Sequence, residues 1–376
     1  MLIPFNKPHL TGKEAEYIRI AVESGKISGD GMFTGKCHSF FEQRYGFKKV
    51  LLTTSCTDAL EMAAILVDIH DGDEVIVPSY TFVSTANAFV LRGAKIVFAD
   101  SEELTPNIDV PKIESLISPR TKAVVVVHYA GVSCEMDAIL DLAKKHSLFV
   151  VEDAAQAIDS YYKGKVLGSL GHMATFSFHE TKNVTSGEGG MLVINDERFL
   201  KRAEIVREKG TNRSAFFRGE VDKYGWLDIG SSFLPSDIIA AYLYAQLENL
   251  EVIQRERKQL WQSYYEQLKP LEQRGLVKLP FIPRYATNNG HMFYMLCSTL
   301  DERSALLKDL NRNDVNAVSH YVALHKSPFW RDKHDGRELP NADRYADRLV
   351  RLPMYYGLTR NDTKRVVDRI LEFYGR

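Results

Sequence analysis

The sequence predicts an α/β protein whose large domain has a mostly parallel sheet with helices on both faces, followed by a smaller α+β C-terminal domain. Between residues 49 and 195, short runs of Val, Ile and Leu alternate with segments whose apolar residues recur every three or four positions. Continuous apolar strands separated by helices are typical of parallel sheets buried on both faces. The alternation stops after this region, where helices mix with short strands.

Each element is predicted from its local pattern. A polar, basic and aromatic stretch over residues 207–230 interrupts the rhythm, and a long helix over 236–257 would link two domains, 1–250 and 251–376. Strand order is beyond what the pattern predicts. The alternating region contains predicted strands at 50–53, 74–78, 95–100, 123–128, 148–153, 174–178 and 191–195, and predicted helices at 59–69, 82–91 and 136–146.

The composition indicates a soluble globular enzyme. Of 376 residues, 45% are hydrophobic and 26% charged, and the formal net charge of −1 argues against a nucleic-acid-binding protein. The four cysteines lie far apart without a Cys-x-x-Cys pair, so we expect reduced thiols and a cytoplasmic location. We expect neither a signal peptide nor association with a membrane, since no stretch approaches the roughly 20 apolar residues of a membrane span.

A phosphate-binding turn is predicted between the first strand and the following helix, at Ser55, Cys56 and Thr57. Backbone N–H groups at a helix N-terminus, together with hydroxyls, bind phosphate well. Taken alone, the segment is better interpreted as an ordinary helix N-cap. It contains no glycine, which excludes a Walker loop and a dinucleotide-binding fingerprint.

Two further strands end in residues that a pyridoxal phosphate (PLP) enzyme requires. Asp153 closes an apolar strand, where a carboxylate would pair with the pyridine nitrogen of PLP; a helix-capping aspartate is the alternative. Ser177 and Lys182 follow the next strand, and a buried lysine amine forms a Schiff base with an aldehyde cofactor. Each signal is weak by itself. Their order within one α/β unit predicts a PLP site with Lys182 as the catalytic residue.

Four longer segments, at residues 78–87, 128–131, 178–183 and 207–214, make the chain resemble the DegT/DnrJ/EryC1/StrS sugar aminotransferase family over nearly its whole length. The resemblance implies the fold-type I, aspartate aminotransferase-like architecture with PLP as cofactor. It implies that Lys182 forms the Schiff base, Asp153 pairs with the pyridine nitrogen and Gln156 binds the ring hydroxyl. Phe82 would stack on the cofactor ring, and the cofactor phosphate would be bound by Ser55, Cys56, Thr57 and Ser177.

The resemblance also implies a homodimer whose active sites lie at the subunit interface. An asparagine of the second subunit usually contacts the cofactor phosphate in this family, and Ser232 stands at that position here. Two alternatives follow: the contact is lost, or the shorter serine hydroxyl makes it.

Substrate contacts are predicted at His179, His320 and the basic segment that contains Lys209, Arg213 and Arg218. Arginine suits bidentate phosphate recognition, and the interleaved aromatic residues could stack on a nucleoside. A solvated loop is the alternative for this segment, and a structural hydrogen bond is the alternative for His179. The histidines are not spaced as metal ligands, and we expect no metal.

The predicted reaction is transfer of an amino group from glutamate to C4 of TDP-4-keto-6-deoxyglucose, which gives TDP-4-amino-4,6-dideoxygalactose and serves surface-glycan biosynthesis. This substrate comes from the resemblance, within which amination at C3 or of another nucleotide sugar stays open. A PLP-dependent sugar dehydratase would resemble this chain but carry histidine in place of Lys182. A PLP-binding regulator would need a DNA-binding domain, for which the chain has no spare length.

Overall fold

The computed structural model describes residues 1–375. Its strands form one seven-stranded sheet and two small two-stranded sheets. They are β1 (Lys49–Thr53), β2 (Glu74–Pro78), β3 (Lys95–Ala99), β4 (Thr121–Val127), β5 (Phe149–Asp153), β6 (Tyr161–Tyr162), β7 (Lys165–Val166), β8 (Met173–Ser177), β9 (Gly190–Ile194), β10 (Tyr294–Leu296) and β11 (Leu349–Arg351).

Helices surround the large sheet and make up most of the C-terminal part. Short 3₁₀ turns occur at Glu114–Leu116, Tyr129–Gly131, Glu197–Phe199 and Leu324–Lys326. The α-helices are α1 (Glu14–Glu23), α2 (Met32–Tyr45), α3 (Cys56–Leu66), α4 (Ser84–Val90), α5 (Val110–Ile113), α6 (Met136–His146), α7 (Leu200–Arg207), α8 (Arg213–Phe217), α9 (Asp237–Leu247), α10 (Leu250–Gln273), α11 (Leu300–Arg312), α12 (Pro340–Arg348) and α13 (Arg360–Gly375).

The large sheet has the order β1-β9-β8-β5-β4-β2-β3. The four neighbouring pairs from β8 to β3 are parallel, whereas β9 runs antiparallel to both β8 and β1. Alternate residues of one strand bury on opposite faces: Val124 and Val126 belong to the core on one side, and Val125 to the core on the other. The prediction of a mostly parallel sheet covered on both faces is therefore confirmed.

The predicted helix over 236–257 is wrong as a single element. The chain forms α9 and α10 instead, with Glu248 and Asn249 between them. Asn249 leaves the helical conformation at φ −107° and ψ 7°, and its side-chain amide donates to the carbonyl of Ala245. Asparagine competes in this way for backbone groups and so favours helix ends.

The C-terminal part has a core of its own, built from α10, α11, α13 and the β10–β11 pair. Ile3 joins this core and pairs with Val315, so the N-terminus packs against the C-terminal part. The division at residue 250 falls at the start of α10 and stays a prediction. Within residues 1–375, no helix is both long and apolar enough to span a membrane.

Candidate active site

A cavity of about 610 Å³ opens at the carboxyl ends of the parallel strands. Ligands of open α/β sheets bind at this edge because the connecting loops and helix N-termini converge there. Ten of the predicted site residues line it: Ser55, Cys56, Thr57, Phe82, Asp153, Gln156, Ser177, His179, Lys182 and His320. The fold thus brings together segments that are up to 265 positions apart in the sequence.

Lys182 lies in a short turn after β8, where its backbone N–H donates to the carbonyl of His179. Its side chain lines the cavity and is partly buried. Burial lowers the pKa of the Lys182 amine to about 8, and the positive charge of Arg351 acts in the same direction. A lowered pKa increases the neutral, nucleophilic fraction of the amine.

Asp153 is buried at the end of β5. Its Oδ2 accepts a hydrogen bond of 2.7 Å from the Thr85 hydroxyl, and Oδ1 accepts one of 3.2 Å from the N–H of Ala155. Burial raises the pKa of the Asp153 carboxyl, while these hydrogen bonds and the charge of Lys182 oppose the rise. Such a carboxylate is held rigidly and lacks solvation, so a cationic partner would stabilise it.

The predicted phosphate-binding turn forms the first turn of α3. Ser55 is the N-cap and accepts a hydrogen bond of 3.0 Å from the N–H of Asp58, so the capping interpretation holds as well. Gly190 faces this turn, and a Cβ at that position would lie 2.4 Å from the backbone nitrogen of Cys56. The missing side chain keeps the backbone of β9 close to the helix N-terminus, where an anion is stabilised.

Aromatic and amide side chains also line the cavity. Phe82 is 53% exposed, and its ring lies 6.0 Å from that of Tyr321, centroid to centroid. Gln156 is buried and accepts a hydrogen bond of 2.6 Å from the N–H of Ala130, while its amide donates to the Tyr321 hydroxyl at 3.3 Å. The cavity therefore offers aromatic surfaces and an amide to a flat ligand.

His179 is one of the predicted substrate contacts that lie in the cavity. Its Nδ1 is 2.9 Å from the Thr181 hydroxyl, and its Nε2 is 3.6 Å from Glu188. The structural hydrogen bond that was the alternative role for His179 is therefore present. The imidazole is nevertheless 40% exposed.

The C-terminal part supplies lining residues that the sequence interpretation missed. His291, Tyr321 and Arg351 join the predicted His320 there. These side chains come from irregular segments and from β11, with no motif around them. An arginine in an otherwise apolar strand was the only signal that the sequence offered for Arg351.

Four predicted residues lie outside the cavity in the single chain. Ser232 is exposed and pairs with Glu208 through the backbone. Glu208 also accepts from Arg213 at 2.7 Å and lies 3.7 Å from the amine of Lys209, whereas Arg218 binds Glu204 and Glu220. A contact from this segment to an active site would have to be made to a second subunit.

Known proteins are similar to this chain over nearly its whole length. The sequence pattern of the DegT/DnrJ/EryC1/StrS aminotransferase family matches residues 8–371. The chain belongs to this family. The spore coat polysaccharide biosynthesis protein SpsC of Bacillus subtilis is 33% identical to it over 382 aligned positions, covering 98% of this chain and 96% of SpsC.

Two solved structures resemble this chain over its whole length. The aminotransferase TlmJ from Streptoalloteichus hindustanus is 28% identical with a TM-score of 0.91. DesV of S. venezuelae is 29% identical, also with a TM-score of 0.91, and both alignments cover 100% of this chain and 99% of the other. The predictions of the family, of the fold-type I architecture, of a sugar aminotransferase and of PLP as cofactor are confirmed.

The residues present fit PLP. The cavity combines a partly buried lysine amine, a buried carboxylate that has no cationic hydrogen-bond partner among residues 1–375, and the helix N-terminus that Gly190 faces. These groups match the aldehyde, the pyridine nitrogen and the phosphate of the cofactor in chemical type. Within residues 1–375, no cluster of three or more side chains suited to a metal ion is found.

The lowered pKa of Lys182 predicts a pH-dependent stability in the cofactor-free protein. Below pH 8 the amine is protonated in both states, and its burial costs the folded state up to about 3 kcal/mol. Between pH 8 and 10.5 the folded state loses this proton first, so the unfolded state binds more protons and stability rises with pH. We expect Lys182→Met to be the more stable protein at pH 7, by a margin that shrinks towards pH 10.

This prediction is checked by urea unfolding of both cofactor-free proteins at several pH values. The other titrating groups are common to the two proteins and cancel in the difference. Stability curves that stay parallel from pH 7 to pH 10 would contradict the lowered pKa.

Proposed function

We propose that this enzyme transfers the amino group of glutamate to C4 of TDP-4-keto-6-deoxyglucose and produces TDP-4-amino-4,6-dideoxygalactose in the cytoplasm. The observation that carries the reaction type is the convergence of Lys182, Asp153 and the N-terminus of α3 on one cavity. The sugar and its C4 position come from the four segments of family resemblance. The relation to a spore coat polysaccharide protein supports a role in making a surface glycan.

Lys182 is the proton carrier in this proposal. PLP, when bound, supplies an aldehyde that exchanges amines and a ring that accepts electrons. The neutral Nζ of Lys182 takes the proton from the glutamate carbon that bears the amine, and in the second half-reaction Nζ supplies a proton to C4 of the sugar. A pKa of about 8 suits both tasks, because an acid–base catalyst works best when its pKa lies near the operating pH.

Asp153 is proposed to stabilise the positive charge on the pyridine nitrogen of the cofactor. Its carboxylate sits in a buried position with Thr85 and Ala155 directing its two oxygens, so it presents a fixed negative charge towards the cavity. Such a charge keeps a bound pyridine nitrogen protonated. Phe82 and Gln156 are proposed to orient the ring by stacking and by a hydrogen bond.

The enzyme is proposed to act as a homodimer. The segment after α7 exposes large apolar side chains, among them Phe217, Trp226 and Leu227, of which Trp226 is 83% exposed. A cluster of this kind on a soluble chain is typical of a protein interface. In a second subunit's cavity, Arg213 and Arg218 would meet the pyrophosphate, and the hydroxyl of Ser232 would meet the cofactor phosphate.

The proposed function is tested with purified enzyme, PLP, glutamate and TDP-4-keto-6-deoxyglucose. We expect 2-oxoglutarate and an amino sugar in equal amounts, with the nitrogen on C4 and axial, as NMR of the product would show. Matched reactions contain the 3-keto isomer or the UDP-linked 4-keto sugar. Preference for the 3-keto isomer would make the enzyme a 3-aminotransferase, and preference for the UDP sugar would reject TDP as the nucleotide.

A further inference from the structure

Arg351 is a buried cation for which the described part of the chain offers no counter-ion. It lies in β11, is 8% exposed, and lines the Lys182 cavity. Its Nε is buried without a hydrogen-bond acceptor, and no Asp or Glu among residues 1–375 forms an ion pair with it. A buried charge that lacks a partner is strongly unfavourable, so this arrangement indicates an anionic ligand.

The surroundings hold the guanidinium in one orientation. Its Nη1 donates to Nε2 of His320 at 3.0 Å, and its Cζ lies 4.8 Å from the ring centroid of Phe5. Since burial lowers the pKa of His320, the imidazole is neutral and its Nδ1–H donates to the Tyr129 hydroxyl at 3.1 Å. His320 therefore positions Arg351, and its Nε2 is not free to contact a substrate.

The backbone of Arg351 is fixed as well. It pairs with Tyr294 across the β10–β11 ladder and exchanges two hydrogen bonds with Val318. The remaining guanidinium hydrogens are thus presented from a rigid strand. A planar donor group of this kind matches the two oxygens of a carboxylate.

We propose that Arg351 binds the α-carboxylate of the amino donor. Besides the cofactor phosphate, which the N-terminus of α3 would hold, three anionic groups enter this cavity under the proposed function, on which this inference rests: the α- and γ-carboxylates of glutamate and the pyrophosphate of the nucleotide sugar. The α-carboxylate is attached to the carbon that exchanges its proton with Lys182. The positive charge of Arg351 acts on the same Lys182 amine and lowers its pKa. The pyrophosphate is attached to C1 of the sugar, across the ring from the reacting C4, which favours the carboxylate at Arg351.

The test measures the two half-reactions of Arg351→Gln separately, by the absorbance of the cofactor. In the first, PLP-loaded enzyme reacts with increasing glutamate; in the second, pyridoxamine-phosphate-loaded enzyme reacts with the keto sugar. We expect the glutamate concentration for half-maximal rate to rise about 10- to 150-fold, as for loss of hydrogen bonds to a charged group. The keto-sugar half-reaction should change by less than about threefold.

Two further variants keep the test decisive. Arg348→Gln removes an equal charge three positions earlier, outside the residues that line the cavity, and should leave both half-reactions unchanged. Arg351→Lys keeps the charge without the bidentate geometry and should give an intermediate loss. It also provides the answer if the glutamine variant fails to fold.

Other outcomes overturn the inference. An unchanged half-maximal glutamate concentration would remove the carboxylate role, and a loss confined to the keto-sugar step would assign Arg351 to the pyrophosphate. An equal fall of both limiting rates would mean that Arg351 acts only through the pKa of Lys182. Amination at C3 by the wild-type enzyme would reject the proposed substrate and leave the glutamate result standing.

Discussion

Replacing Lys182 with alanine is expected to lower transamination by more than about 10³-fold. The variant loses the amine that is proposed to take a proton from glutamate and to supply one to the sugar, and general acid–base catalysis alone contributes roughly 10²- to 10⁴-fold. It also loses the group that is proposed to form the covalent link to the PLP aldehyde. Because Lys182 borders the cavity, its removal leaves Asp153 and the predicted phosphate-binding turn at the start of α3 in place. PLP should still bind, through non-covalent contacts.

Two measurements check this prediction. Borohydride reduction followed by mass spectrometry should attach the cofactor to the peptide that contains Lys182 in the wild type and to no peptide in the variant. The amino-sugar yield should fall to the level of the heat-treated enzyme. Lys163→Ala is the matched control, since that amine is exposed and pairs with Asp137. Lys182→Ala turnover within about tenfold of wild type would refute the assigned role.

Replacing Asp153 with asparagine is expected to lower the rate about 10²- to 10⁴-fold. The two side chains have nearly the same shape, so the hydrogen bond from Thr85 can persist while the negative charge disappears. Removing one partner of a buried ion pair costs roughly 3–5 kcal/mol, and each 1.4 kcal/mol is about tenfold in rate. Without the carboxylate, a bound pyridine nitrogen loses its proton and the ring accepts electrons poorly.

The half-reaction with glutamate, followed by cofactor absorbance, measures this loss. Thr85→Val should cost much less, about tenfold, because it removes one hydrogen bond to the carboxylate and keeps the charge. Asp137→Asn, an exposed position on α6, serves as the control and should be indistinguishable from wild type. A fully active Asp153→Asn enzyme would be incompatible with the proposed pairing.

The sequence predicted the large domain well because its strands bury both faces and therefore consist of uninterrupted apolar runs. The strand at Glu74–Pro78 and the helix at Met136–His146 were predicted to the residue. The break between α9 and α10 was missed, since apolar residues continue on both sides of Asn249. The order of the strands could not be predicted, because it depends on contacts between distant segments.

Some residues of the site could likewise be predicted from the sequence, and others could not. Asp153 ends a strand of the large sheet, and Ser55 and Lys182 each follow one. Parallel strands bring their carboxyl ends to one edge, so the sequence itself indicated that these residues would meet. Arg351 and Tyr321 come from the C-terminal part, and Thr85 from the start of a short helix. No local pattern assigned a role to any of them, since the contacts of Thr85 with Asp153 and of the C-terminal residues with the cavity form only when distant segments pack together.

The sequence by itself predicted a PLP site, because a candidate Schiff-base lysine, a strand-end carboxylate and a predicted phosphate-binding turn occur in order along one α/β unit, and the family resemblance added the aminotransferase reaction. Only the tertiary structure decided the environment in which they act. Burial and the charge of Arg351 lower the pKa of Lys182 to about 8, and Thr85 orients Asp153. A pKa and an unpaired charge are properties of the space around a residue, and that space forms only when residues far apart in the chain pack together.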